Sequence, residues 1–66
     1  MEFSEKIKKV REILEISQET LARELGVSFA TINRLEMGRS LPSYRTVRKL
    51  ELFCKNKNII IGGAND

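Results

Sequence analysis

The sequence predicts an all-α domain of four to five short helices around one small core. Three observations carry that expectation. Apolar residues recur at three- and four-residue steps in four separate stretches, the spacing of one helix face. A serine stands at the head of each stretch, where its hydroxyl can accept from the free amides of a first turn. Gly26, Gly38 and Pro42 fall where the periodic stretches stop.

The first helix is expected to start near Ser4, with Glu5 against the positive end of the helix dipole, and to run to about Ile16. Ile7, Val10 and Leu14 form its inward stripe, with Phe3 one turn earlier and Arg11 beside them, while Lys8, Lys9, Glu12 and Glu15 make a solvated back. Ser17 caps a second helix of about eight residues that carries Leu21, Ala22 and Leu25 inward and closes at Gly26. Ser28 caps a third, residues 28–37, with Ile32 and Leu35 inward and Gly38 beyond its end. Only Gly26-Val27-Ser28 joins the second and third helices, so the chain must turn sharply there: a helix-turn-helix. Pro42 bars a continuous helix through the loop that follows. A fourth helix is expected from about Ser43 to Lys55, with Val47, Leu50, Phe53 and Cys54 inward. The core is thus expected over about 4–55, and 56–66 reads as a tail, irregular or with a short strand at Asn58–Ile61 and fraying beyond it.

A chain of 66 residues makes one domain, 1–66, with too little interior to enclose a substrate. It has no His and a single Cys, which excludes a Cys/His zinc site, a Ser-His-Asp triad and an internal disulfide. A binding module is expected rather than an enzyme, with no cofactor and no metal. Cys54 reads as a small core hydrophobe. Glu2, Glu5 and Lys6 interrupt any leader-like apolar run, and Ile59-Ile60-Ile61 is far short of the ~20 residues a membrane span needs. A cytoplasmic location follows as the expectation.

Charge is unevenly placed. From Met1 to Glu36 there are 6 basic and 7 acidic side chains, a balance of −1. From Met37 to Lys57 come Arg39, Arg45, Arg48, Lys49, Lys55 and Lys57 against Glu51 alone, a balance of +5. Positive charge gathered in one segment suits a polyanion. A plain solvated surface is the other reading.

The run Ser17-Gln18-Glu19-Thr20-Leu21-Ala22-Arg23-Glu24-Leu25-Gly26-Val27-Ser28, then Thr31-Ile32-Asn33-Arg34-Leu35-Glu36-Met37-Gly38-Arg39 and Pro42, resembles the lambda-repressor/Cro family, also called the XRE-type helix-turn-helix family. The resemblance covers about Ile7 to Leu52, and many positions agree together. It implies a compact lambda-repressor-like DNA-binding domain whose third helix enters the major groove of double-stranded DNA. On this resemblance Phe29, Ala30, Asn33 and Arg34 are the base-reading candidates. Arg34 suits the O6 and N7 of guanine, and Asn33 the N6 and N7 of adenine. Phe29 and Ala30 depart from the Gln, Ser or Arg common at these places. Phe29 either packs on a thymine methyl or folds back on the protein, which leaves the target sequence open.

Phosphate contacts are expected from Gln18, Ser28, Thr31, Arg39, Arg45 and Arg48, with Thr46 a further candidate; such contacts fix register without reading sequence. Gln18 braces either the DNA backbone or the reading helix in this family. The family also pairs an arginine of the first helix with the glutamate of a Glu-x-Gly signature, which here implies a structural salt bridge between Arg11 and Glu36.

The resulting expectation is a sequence-specific transcriptional regulator, a repressor, acting as a homodimer on a palindromic operator. The run Ile59–Ile61 either forms the partner surface or covers the monomer's own core. The competing expectation is a protein-interaction module, such as an antitoxin or a restriction–modification accessory protein, which the apolar Phe29, Ala30 and Met37 favour.

Overall fold

Ser17, Ser28 and Ser43 each begin a helix in the same way. A computed structural model of the chain, which describes residues 2–61, shows α1 at Phe3–Leu14, α2 at Gln18–Leu25, α3 at Phe29–Glu36 and α4 at Tyr44–Asn56. The backbone N–H groups of Thr20, Thr31 and Thr46 donate to the hydroxyls of Ser17, Ser28 and Ser43 at 3.0, 3.1 and 3.1 Å. In each case the threonine hydroxyl also meets the serine hydroxyl. The pattern Ser-x-x-Thr thus satisfies one orphan amide three times over.

Helix α1 departs from that pattern. Its cap is Glu2, and Ser4 lies inside the first turn. The Glu5 carboxylate reaches back and accepts from the Glu2 N–H at 3.1 Å, so an acid supplies the closure expected of Ser4.

The C-termini share a second rule. Glu15, Gly26, Gly38 and Asn58 all take left-handed backbone conformations. The next residue in each case returns its N–H to a carbonyl five positions back: Ile16 to Arg11, Val27 to Ala22, Arg39 to Arg34 and Ile59 to Cys54, at 2.8–3.1 Å. This closure commonly brings an apolar side chain back onto the helix, and Ile16, Val27 and Ile59 pack on the core accordingly. The first helix therefore stops at Leu14 rather than near Ile16, because Glu15 adopts a conformation usually left to glycine.

Nine apolar residues make the core: Ile7 and Val10 of α1, Leu21, Ala22 and Leu25 of α2, Ile32 and Leu35 of α3, and Leu50 and Phe53 of α4. Helix α3 packs on both α1 and α2, and α4 packs on α2. Ile32 is fully buried. Truncating such a residue costs roughly 2–5 kcal/mol, about as much as the entire stability of a domain this size.

Four helices are present among the described residues, with neither a fifth helix nor a strand. Residues Asn58–Ile61 are irregular. Their alternation divides the two roles considered for the isoleucines: Ile59 and Ile61 lie against the core, while Ile60 is 90% exposed. The fraying expected of residues 62–66 concerns positions outside the described residues. No described helix is long and apolar enough to cross a membrane.

Candidate nucleic-acid interface

Helix α3 is eight residues long and two-sided. Ile32, Leu35 and Glu36 are buried, whereas Phe29, Ala30 and Arg34 are exposed and Asn33 is half-buried. Phe29, at the head of the helix, keeps 53% of its surface open, so about half of it remains accessible to a partner. The aliphatic side holds the helix against α1 and α2, and the side carrying Phe29, Ala30 and Arg34 faces solvent.

Behind that outer side lies a chain of hydrogen bonds crossing three helices. The Arg11 guanidinium forks onto the Glu36 carboxylate, Nε to Oε1 at 2.9 Å and Nη2 to Oε2 at 2.8 Å. Its remaining nitrogen, Nη1, donates to the Ile16 carbonyl at 3.1 Å and so also ties down the α1–α2 turn. Gln18 Nε2 donates to Glu36 Oε1, and Asn33 Nδ2 donates to Gln18 Oε1, both at 3.1 Å. Glu36 is only 7% exposed. The Arg11 guanidinium holds its carboxyl below the usual carboxylate range against the opposing effect of burial, with Gln18 helping. Arg11 is pushed up in return, chiefly by its hydrogen bond to Glu36.

Arg39 occupies a telling place. It is the residue after the left-handed Gly38, where the other three helix ends carry an inward isoleucine or valine, yet Arg39 is exposed. Nothing in the closure requires a cation there. Arg34, Arg39 and Arg45 are exposed and form no salt bridge among the described residues. Arg48 is exposed but pairs with Glu51 one turn along α4 at 3.2 Å, a surface contact of little energetic weight.

Residues 7–57 match the sequence profile of the helix-turn-helix family. The chain belongs to that family. No curated protein and no solved structure matches it.

A helix-turn-helix domain of this XRE-like, lambda-repressor-like kind binds double-stranded DNA. Within it, α2 and α3 are the paired helices, joined through Gly26 at φ +71°. A side chain at position 26 would meet only Lys49 Nζ, at 3.9 Å, so glycine is present for its backbone freedom and not for lack of room.

The remaining positions singled out from the sequence are tied into the protein to different degrees. Ser28 and Thr31 spend their hydroxyls on each other and on the α3 cap, the same arrangement as Ser17 with Thr20 and Ser43 with Thr46. Gln18 is held between Glu36 and Asn33, within the protein rather than pointing freely outward. Thr46 is buried at 8% exposure and bonded to Ser43, which removes it from the phosphate candidates. The expected inward residues Val47 and Cys54 are half-buried, and burial pushes the Cys54 thiol up, away from reactivity.

Gln18 bonds Glu36 and Asn33 of the reading helix, one of the two braces that the resemblance implies, although the sequence does not name Asn33 as its partner. Two amides at separations that no helix periodicity links give no local signal. The sequence reading also passed over Leu41 and Tyr44, both strongly exposed on either side of Pro42. Two large side chains on either side of Pro42, one in the loop and one opening α4, were the available clue.

Proposed function

We propose that the chain is a sequence-specific transcriptional regulator, a repressor, that places residues 28–37 in the major groove of an operator. The observation that carries this reading is the division of α3, with Ile32 and Leu35 anchored and Phe29, Ala30 and Arg34 facing out. Those three and Asn33 read bases. Arg39, Arg45 and Arg48 set register on phosphates, with Ser28, Thr31 and Gln18 beside them at the ends of the paired helices. The action is one of binding and not of catalysis, in the cytoplasm.

A single copy offers one short reading helix, and non-specific binding at that level lies near 10⁻⁴–10⁻⁶ M, as an order of magnitude. A homodimer on a palindrome presents two such helices about 34 Å apart and gains through effective concentration. Ile60, exposed between two seated isoleucines, is the apolar group offered to the second copy.

Gel retardation of a random duplex at low and moderate salt tests the reading. Retardation that weakens steeply with salt supports it. A folded sample that ignores every duplex at low ionic strength ends it. The second reading, a protein-interaction module such as an antitoxin, is favoured by one observation: Phe29 and Met37 are both more than half exposed at opposite ends of the same helix. Stable co-purification with one protein, without duplex retardation, is the outcome that reading requires.

A further inference from the structure

A groove of about 280 Å³ lies between the start of α1, α4 and the irregular residues that follow α4. Phe3, Val47, Leu50, Cys54, Ile59 and Ile61 make its apolar floor and walls. Leu50 is buried, and the other five are half-buried. Three charged groups stand beside them: Lys6 on α1, and Glu51 and Lys55 on α4. The Glu51 carboxylate is already engaged by Arg48 at 3.2 Å. Lys6 and Lys55 form no salt bridge among the described residues. Cys54 adds no negative charge, because burial favours its thiol form although the Lys6 ammonium pulls the other way. The groove is thus apolar inside and positive at the rim.

We propose that this groove binds a free fatty carboxylate of about eight to ten carbons. Its volume lies just under the ~300 Å³ at which pockets for drug-sized ligands begin, so it suits a slim chain rather than a ring system. That volume equals the liquid volume of roughly nine waters, and a methylene group takes about the room of one. No buried side-chain nitrogen or oxygen among the described residues lacks a partner, so the floor asks for nothing polar. Two lysines without a partner select an anionic head, and their flexible stems let either one meet it while the hydrocarbon lies on the floor. None of the residues of α3 lines the groove, and the site does not depend on the DNA-binding reading.

The experiment titrates decanoate, below its micelle-forming concentration, into the 66-residue chain and follows the backbone amides by ¹H–¹⁵N correlation spectra. Saturable shifts are expected at Val47, Cys54, Ile59 and Ile61 with a Kd of about 0.1–1 mM, and none at Ala30 or Arg34. Decyltrimethylammonium, with the same chain and the opposite charge, should bind at least about tenfold more weakly. The double variant Lys6→Gln with Lys55→Gln should weaken decanoate about three- to tenfold without weakening the cation, and high salt should shrink the difference in wild type. Unchanged signals of Ala30 and Arg34 show that the variant is folded. Cys54 gives a local check: decanoate at tenfold excess over its Kd should slow alkylation of the thiol by iodoacetamide about tenfold.

No saturation by about 10 mM decanoate overturns the proposal. Equal binding of decanoate and the cationic amphiphile overturns it too, because that marks plain adsorption to apolar surface. So does undiminished alkylation of Cys54 at saturation, which places the ligand elsewhere. Shifts at the same four amides on raising the protein concentration alone would seat a second copy in the groove and remove the carboxylate from it.

Discussion

Arg11 and Glu36, 25 residues apart, meet in a two-bond fork that joins α1 to the end of α3, with nitrogen–oxygen distances of 2.9 and 2.8 Å. One partner is largely buried and the other partly so, which sets the scale of the first prediction.

Arg11→Met should strand the Glu36 carboxylate and cost about 3 kcal/mol, the low end of the range for breaking a buried pair, because Arg11 keeps some exposure. A domain of this size rarely holds more than about 3–5 kcal/mol. Thermal denaturation should find the variant left with about 2 kcal/mol or less, and melting far below wild type. The double variant Arg11→Met with Glu36→Leu should recover a large share, because no carboxylate is then stranded.

The same pair makes stability depend on acid. The folded-state pKa of Glu36 lies below its unfolded value, so its contribution is complete above the ordinary glutamate range of about 4.3 and is lost as pH falls below it. In that window the unfolded chain takes up a proton that the folded chain still refuses. Melting temperature should fall as pH drops below about 5, and Glu36→Gln should flatten that fall.

Gly26 and Glu15 share a left-handed backbone but not a residue type. Gly26→Ala should cost about 1–2 kcal/mol, all of it from the backbone, since the new Cβ meets nothing closer than 3.9 Å. Glu15→Gly should go the other way and gain about 0.5–1 kcal/mol by relieving the same strain. Denaturant titrations with unchanged slopes would measure both.

Arg34→Ala should relax preference at one base and cost about 1–3 kcal/mol against the preferred duplex. Arg39→Ala should weaken every duplex alike and lower the salt slope by about 1. Two variants that behave identically would remove the division between base reading and phosphate contact.

Ile60→Glu should shift a dimer toward monomer in sedimentation while leaving the melting temperature of the monomer nearly unchanged, because that side chain is 90% exposed. A monomeric wild type across the working concentration range would show that Ile60 has no such role.

Much of this architecture was legible before any coordinates. Ser17, Ser28 and Ser43 announce three helix starts by local chemistry, and Gly26 and Gly38 announce two ends, so α2 and α3 carry the boundaries expected of them within a residue. What escaped was whatever local rules do not encode. Glu15 closes α1 against its intrinsic preference, because Arg11 holds the turn through both its own carbonyl and its guanidinium. Thr46 looked like a surface hydroxyl, and only the packing of α4 shows it turned inward. The Gln18–Asn33 contact depends on how α2 and α3 cross, which spacing alone does not supply.

Phe29, Ala30 and Arg34 touch the outside, while Ile32 and Leu35, on the same short helix, do the anchoring. On the proposed reading, mutation can redraw what the outer three recognise without loosening the scaffold that presents them. Asn33 has less liberty, since a change there leaves the Gln18 amide without its bond. If these four positions read bases as proposed, a lineage built on this chain is free to wander quickly at three of them and slowly at the fourth.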